Sequence, residues 1–198
     1  MDRGQRFVEY ALRVGAFQFP RKKVVLKSGK QSPYFFNSKL LNSGQDIEMI
    51  SDLYAEAIGS ELADDCDGII GPPLAGTILA GPIVMGIWRS YGVNSNLRCY
   101  SYRKEPKTHG EGGIVTGGSL RSKKVIIVDD AMTTGHSVSE AFGIVKAHGG
   151  IPIACVVAFD RQERGASGLS MAKEFEEEFS IPLMAIANMR DLIWGLSQ

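Results

Sequence analysis

The sequence predicts an α/β fold in which a mostly parallel central sheet is covered on both faces by helices. Two observations carry the prediction. Short apolar runs at 68–71, 97–102, 124–128, 153–159 and 183–187 read as buried strands, and helical patterns fall between them. Alternation of this kind fits parallel strands, which need long crossover connections. The bulk properties agree. The chain has 198 residues, 44% hydrophobic and 22% charged, an ordinary composition for one well-buried domain. A single domain spanning 1–198 is the expectation.

The elements follow in order. Phe7, Ala11 and Val14 share a helical face with Val8 and Leu12. A basic stretch at 21–30 leads into Ser32-Pro33-Tyr34-Phe35-Phe36-Asn37, which reads as extended. Ile47, Ile50, Tyr54, Ala57 and Ile58 recur at helical spacing, and that helix should end near Asp64 and Asp65. Residues 68–88 carry no charge and approach the length of a membrane span. Pro72, Pro73 and Pro82 argue against a continuous span, because adjacent prolines remove donors and block helical geometry. A buried strand, a tight turn and a buried helix fit that stretch better. Val138, Phe142 and Val145 mark a further helix, closed by Gly149 and Gly150. The acidic cluster Glu174, Glu176, Glu177 and Glu178 reads as the solvated face of a late helix.

Charge and cysteine usage narrow the partners. The 22 basic residues balance 22 acidic ones, so no global field draws the chain to nucleic acid or to an anionic membrane, and neither partner is expected. The start, Met1-Asp2-Arg3, has no apolar signal core, and Cys66, Cys99 and Cys155 lack the close spacing of zinc ligands. They read as reduced, mostly buried thiols of a cytoplasmic protein.

The chemistry concentrates in Val125-Ile126-Ile127-Val128-Asp129-Asp130-Ala131-Met132-Thr133-Thr134-Gly135. Four apolar residues make a short strand, and two carboxylates follow at its carboxyl end, where open α/β sheets bind ligands. Thr133, Thr134, Gly135, His136 and Ser137 form the turn into the next helix. Such a turn offers backbone N–H groups, hydroxyl donors and the positive end of a helix dipole, all suited to a phosphate. The carboxylates suit a polyol. An acidic pair before threonines also serves simply as a helix cap, and by itself the segment does not decide between the two. Arg103, Lys104, Lys107 and His109 put cationic donors close together ahead of Gly110, Gly112, Gly113, Gly117 and Gly118. A mobile cationic loop over about 103–118 could close over a polyanion, and a basic hairpin tip would have the same composition. Taken alone, Phe35 and Phe36 read as core aromatics, and Arg161 and Arg164 as surface ion-pair partners.

The 125–135 segment resembles the phosphoribosyl pyrophosphate-binding motif of the type I phosphoribosyltransferases, with small Ala131 standing where a larger aliphatic is common. Segments 26–37, 103–113 and 160–165 resemble, in order and spacing, those of orotate phosphoribosyltransferases. The resemblance implies the type I phosphoribosyltransferase fold, with a small hood built mainly from 1–40 and C-terminal segments. It implies transfer of a phosphoribosyl group to orotate, with Mg²⁺ carried mainly by the donor. Asp129 and Asp130 would hold the ribose hydroxyls, Thr133, Thr134, Gly135, His136 and Ser137 would cradle the 5′-phosphate, and Ala131 and Met132 would belong to the same donor site. Lys27 and Arg103 would reach the donor, while Lys104, Lys107 and His109 would bind departing pyrophosphate across the boundary of a homodimer. Lys107 and His109, with the two aspartates, would be catalytic; Phe35, Phe36, Thr133 and Arg161 would hold orotate. One departure stands out: many relatives carry a lysine in the glycine-rich turn at 71–77, whereas Gly71-Pro72-Pro73-Leu74-Ala75-Gly76-Thr77 has no cation. A phosphoribosyltransferase for another base and a non-catalytic RNA-binding regulator remain alternatives.

Overall fold

A computed structural model describes residues 1–26, 29–92, 96–107 and 113–198. The chain opens with α1 (Arg3–Arg13), capped by Asp2, whose carboxylate accepts from the Gln5 N–H. Two short antiparallel ribbons follow: β1 (Phe17–Gln18) pairs with β4 (Phe35–Phe36), and β2 (Val24–Val25) with β3 (Gln31–Ser32). A 3-10 turn at Ser38–Leu40 leads to α2 (Gly44–Asp64). Then come β5 (Gly68–Gly71), α3 (Ala75–Tyr91), β6 (Arg98–Lys107), β7 (Gly113–Thr116), β8 (Lys124–Met132), α4 (His136–Ala147), β9 (Ile151–Asp160), α5 (Met171–Phe179), β10 (Leu183–Asn188) and α6 (Met189–Leu196).

The central sheet has the order β10-β9-β8-β5-β6-β7 among the described residues, parallel throughout except for β7. Alternation along the strands builds two cores. Ile69, Ile126, Val128, Ala154 and Val156 join one cluster with residues of α1, α2 and α3. Ile70, Val125, Ile127, Cys155 and Val157 join the other with residues of α4 and α5. Both sheet faces are thus covered, as the near-continuous apolar runs require. From β5 the chain winds outward through α3 to β6, and from β8 through α4 to β9. The β5–β8 boundary is therefore the switch point of the sheet, where a crevice opens beyond the strand ends.

Three elements differ from expectation. The third strand runs on to Met132, because pairing with β9 continues through Asp129↔Val157, Ala131↔Phe159 and Met132↔Asp160. Both aspartates lie in its last residues rather than beyond it. Part of the expected loop at 103–118 is ladder: β6 continues to Lys107 and pairs with β7, joined by the Ser101–Thr116 hydroxyl bond at 2.6 Å. The helix expected to be buried after the 71–77 turn is one-sided. Ala80, Ile83 and Ile87 of α3 are buried, while Ile78, Met85 and Trp88 are exposed.

Buried Asp46, in the first turn of α2, ties the N-terminal segments together. It accepts from the Tyr10 hydroxyl at 2.6 Å, from the Asn42 N–H at 3.0 Å and from the Ser43 N–H at 2.7 Å. Burial alone would raise its pKa, but the bonds from Ser43, Tyr10 and Asn42 outweigh it and hold the carboxyl below the ordinary 3.8. The folded pKa is depressed, so this stabilisation is present above the unfolded value and is lost as pH falls through the folded one. Thermal melts of the unaltered chain should fall more steeply below about pH 4 than those of Asp46→Asn.

Candidate active site

Gly71 ends β5 at the switch point, and the next turn is packed against it. A Cβ on Gly71 would overlap the Gly76 backbone, and a Cβ on Gly76 would lie 2.5 Å from both the Val128 carbonyl oxygen and Pro72 Cδ. Only glycine lets these two backbones approach each other and the end of β8. Thr77 closes the turn: its N–H donates to the Pro72 carbonyl at 3.1 Å and its hydroxyl to the Gly71 carbonyl at 3.2 Å.

Across the crevice, β8 carries the carboxylates. Asp129 is buried, and its backbone carbonyl accepts from the Tyr54 hydroxyl of α2 at 2.6 Å. Burial, with the two aspartates nearby, pushes the Tyr54 phenol well above its usual range, so it stays a donor and pins the strand end. The Asp130 N–H donates to Asp129 Oδ1 at 3.0 Å, and Asp130 Oδ2 accepts from Ser38 Oγ. Gly135, with φ at 74°, is the left-handed N-cap of α4 and offers no side-chain cap. No side chain caps the first N–H groups of α4, and a helix start of this kind suits an anion.

A cavity of about 380 Å³ collects these groups, and Phe35, Phe36, Asp129, Asp130, Ala131, Thr133, Ser137 and Arg161 all line it. Phe36 is also core, edge-on to Phe7 at 5.9 Å, so it packs inward while lining the cavity. Met132 and Gly135 are buried beneath the turn, Thr134 is half-buried and His136 is exposed; none of the four lines this cavity. Arg103 and Lys104 are exposed on β6 and do not line it either. Lys27, His109 and the side chain of Lys107 lie outside the described residues.

Arg161 overturns its reading as a surface residue, being only 7% exposed. It follows β9, and three groups orient it. Nε donates to Glu163 Oε1 at 2.9 Å, Nη2 donates to Ser32 Oγ at 3.0 Å, and the guanidinium stacks over the Tyr34 ring at 4.3 Å. Burial outweighs the opposing pull of Arg161 and raises the Tyr34 phenol to about 12, so the ring stays neutral under the cation. Among the described residues no acceptor meets Nη1, which leaves donors for a ligand carboxylate or carbonyl edge.

Val25, Leu26, Asn37, Ser38 and Lys39 also line the cavity and had not been singled out as site residues. Leu26 and Asn37 bound a segment that was legible, whereas Ser38 and Lys39 belong to no pattern. An adjoining, largely apolar cavity of about 250 Å³ extends beneath α3, lined by Lys39, Asp130, Ala75, Ile78 and Leu79 among others. No group of three or more His, Cys, Asp or Glu among the described residues could hold a metal ion alone. The oxygen donors Asp129 and Asp130 do suit Mg²⁺ that arrives on a polyphosphate, since this ion keeps waters and binds through one or two carboxylates plus substrate oxygens.

The Phosphoribosyl transferase domain family matches residues 38–182. The orotate phosphoribosyltransferase of Marinobacter nauticus is 38% identical over 193 residues, covering 97% of this chain and 87% of that protein. That of Xanthomonas oryzae pv. oryzae is 39% identical over 194 residues, covering 97% and 86%. Among solved structures, the orotate phosphoribosyltransferase of Francisella tularensis superposes with a TM-score of 0.79 at 29% identity, over 97% of this chain and 90% of that one.

Proposed function

Because the chain belongs to the orotate phosphoribosyltransferases of the phosphoribosyl transferase domain family, we infer that it transfers the 5-phosphoribosyl group of phosphoribosyl pyrophosphate to orotate. The products are orotidine 5′-monophosphate and pyrophosphate, a step of pyrimidine biosynthesis. The observation that carries the reading is the convergence of two acids, an anion-binding turn, an aromatic residue and an oriented arginine on one cavity.

The roles divide along that cavity. Thr133, Ser137 and the N-terminus of α4 cradle the 5′-phosphate, and Asp129 and Asp130 accept from the ribose hydroxyls. Phe35 and Phe36 flank the orotate ring, with Thr133 beside it, and Arg161 forks onto its carboxylate or carbonyl edge. The C1–pyrophosphate bond loosens as the orotate ring nitrogen attacks C1, and positive charge develops on the ribose. Asp129, already buried against Tyr54, steadies the sugar in that state. Asp129 and Asp130 would help hold a donor-borne Mg²⁺, which would supply charge that neutralises the departing pyrophosphate. Lys27, Arg103, Lys104, Lys107 and His109 are assigned to the donor and to pyrophosphate by the family pattern.

The working unit in this proposal is a cytoplasmic homodimer whose loop cations serve the neighbouring site. An exposed apolar face supports the dimer. Leu74, the N-cap of α3, forms with Ile78, Met85 and Trp88 of that helix an exposed apolar stripe at helical spacing, and exposed patches of this kind mark contact surfaces. No helix among the described residues is long and apolar enough to cross a membrane. Mixing inactive Lys107→Ala chains with inactive Asp129→Ala chains should restore part of the activity, because mixed dimers hold one intact site. Failure to recover any would argue against sharing.

The decisive assay mixes purified protein with orotate, phosphoribosyl pyrophosphate and Mg²⁺, and follows orotate absorbance. Absence of turnover from neutral to alkaline pH would overturn the reading. Turnover of hypoxanthine or uracil without orotate would move the acceptor and leave the donor chemistry standing.

A further inference from the structure

Pyrophosphate leaves from beside two carboxylates, and a polyanion there needs a cation close by. The turn at 71–77 contains none. Of the described residues lining the two adjoining cavities, Arg161 and Lys39 carry positive charge. Arg161 is already bonded to Glu163 and Ser32 and stacked on Tyr34. Lys39 is differently placed. It lines both cavities, sharing one with Asp130 and Thr133 and the other with Asp130 and Ala75. Its side chain is exposed and makes no ion pair among the described residues.

The backbone beneath Lys39 is held firmly. Its carbonyl accepts from Asn42 Nδ2 at 2.8 Å, the Leu41 N–H donates to the Ser38 carbonyl at 3.0 Å, and Ser38 Oγ donates to Asp130. The Asn42 N–H donates in turn to buried Asp46. A flexible cationic side chain thus rises from a fixed turn that is tied to the sugar-binding acid. Ala75, which lines the apolar cavity with Lys39, is the first residue of α3, and its short side chain brings no charge to that wall.

We propose that Lys39 is the pyrophosphate-binding cation of this enzyme's rigid site, replacing the charge that the 71–77 turn lacks. The proposal rests on the phosphoribosyl-transfer reading above and deepens it. Lys39 contacts the pyrophosphate moiety of the donor and then the departing product, and it takes no part in orotate recognition.

The test uses the full-length chain with Mg²⁺. Lys39→Ala should raise both the KM for phosphoribosyl pyrophosphate and the inhibition constant for pyrophosphate by about tenfold or more, with the KM for orotate changed less than about twofold. Lys39→Arg should keep most of the affinity, and Lys39→Ala combined with Ala75→Lys should recover part of it. Melting temperatures should stay level, since the side chain is exposed. Calorimetric titration with magnesium pyrophosphate reads the same contact without turnover. If the unaltered chain turns over orotate and Lys39→Ala binds pyrophosphate as tightly as it does, the assignment to Lys39 is wrong and the reaction stands. An equal rise in the orotate KM would also overturn it, by showing a general disturbance of the site. If the unaltered chain fails to turn over, the reaction itself falls, while calorimetry still decides the pyrophosphate contact.

Discussion

Arg161→Ala should raise the KM for orotate by about two to three orders of magnitude while leaving the affinity for phosphoribosyl pyrophosphate within a few-fold. Truncating one partner of a buried, hydrogen-bonded charge pair costs about 3–5 kcal/mol. Here the guanidinium is buried, and it is bonded to Glu163 and Ser32 before any ligand arrives. The ligand therefore meets a donor whose orientation is already set, and little ordering cost is left to offset the gain. Arg161→Lys separates charge from geometry. It keeps the positive charge but loses the fork and the flat stack on Tyr34, so most of the orotate affinity should still be lost. Steady-state kinetics with each substrate varied in turn distinguish these outcomes. A rise in both KM values by the same factor would place Arg161 in general support of the fold instead.

Gly71→Ala should be the most damaging single methyl addition in the site. The new Cβ would overlap the carbonyl carbon and oxygen of Gly76, which are backbone atoms and cannot rotate away. Overpacking of a core by a flexible side chain costs about 1–3 kcal/mol. A clash with main chain at the switch point should exceed about 3 kcal/mol and move the start of α3 away from β8. The expected readout is a large fall in melting temperature together with loss of turnover. Gly81→Ala, on the same helix, meets nothing nearer than Cys99 Sγ at 4.0 Å and should leave both nearly unchanged.

Much of this architecture was legible because its signals are local. Residues 68–71 read as a strand because they form a short uncharged apolar run with glycine at both ends, and all four are buried. The acid pair and threonine turn were legible for the same reason, since one strand–turn–helix supplies them all. Strand ends were not legible. How far β8 runs past Val128 is set by the length of β9 beside it, and β6 continues because β7 returns to pair with it. The short helix α6 escaped notice although a cap announced it: Asn188 accepts from the Arg190 N–H, and the Asn188 N–H donates to Asp191.

The site divides in the same way. Asp129, Asp130, Thr133, Ser137 and Arg161 sit where a motif pointed. Glu163 orients Arg161 from two residues along the chain, while Ser32 and Tyr34 do so from a distant segment that only the folded arrangement brings in. Lys39 is a single lysine in a 3-10 turn, with no neighbour of its kind to form a pattern. The position of a turn relative to a cavity is a tertiary fact, and composition does not carry it.

The unequal lengths of neighbouring strands bear on how the cationic segment can move. β5 stops at Gly71, opposite Ser101, while β6 runs on to Lys107 with β7 as its neighbour on that side. Arg103 and Lys104 therefore ride on a two-stranded arm that projects past the sheet edge. Fixing each residue of a free loop costs about 1–2 kcal/mol of backbone entropy. Tyr102–Val115 and Lys107–Gly113 cross-pair the arm, with a register shift between them that takes in Arg103 and Lys104, so that cost has been met during folding at the paired residues. In the proposed mechanism, closure over the donor would resemble the swing of a lever about its base, with a free energy set chiefly by charge and by displaced water. Such a motion should respond steeply to ionic strength and only weakly to agents that stiffen or loosen random coil.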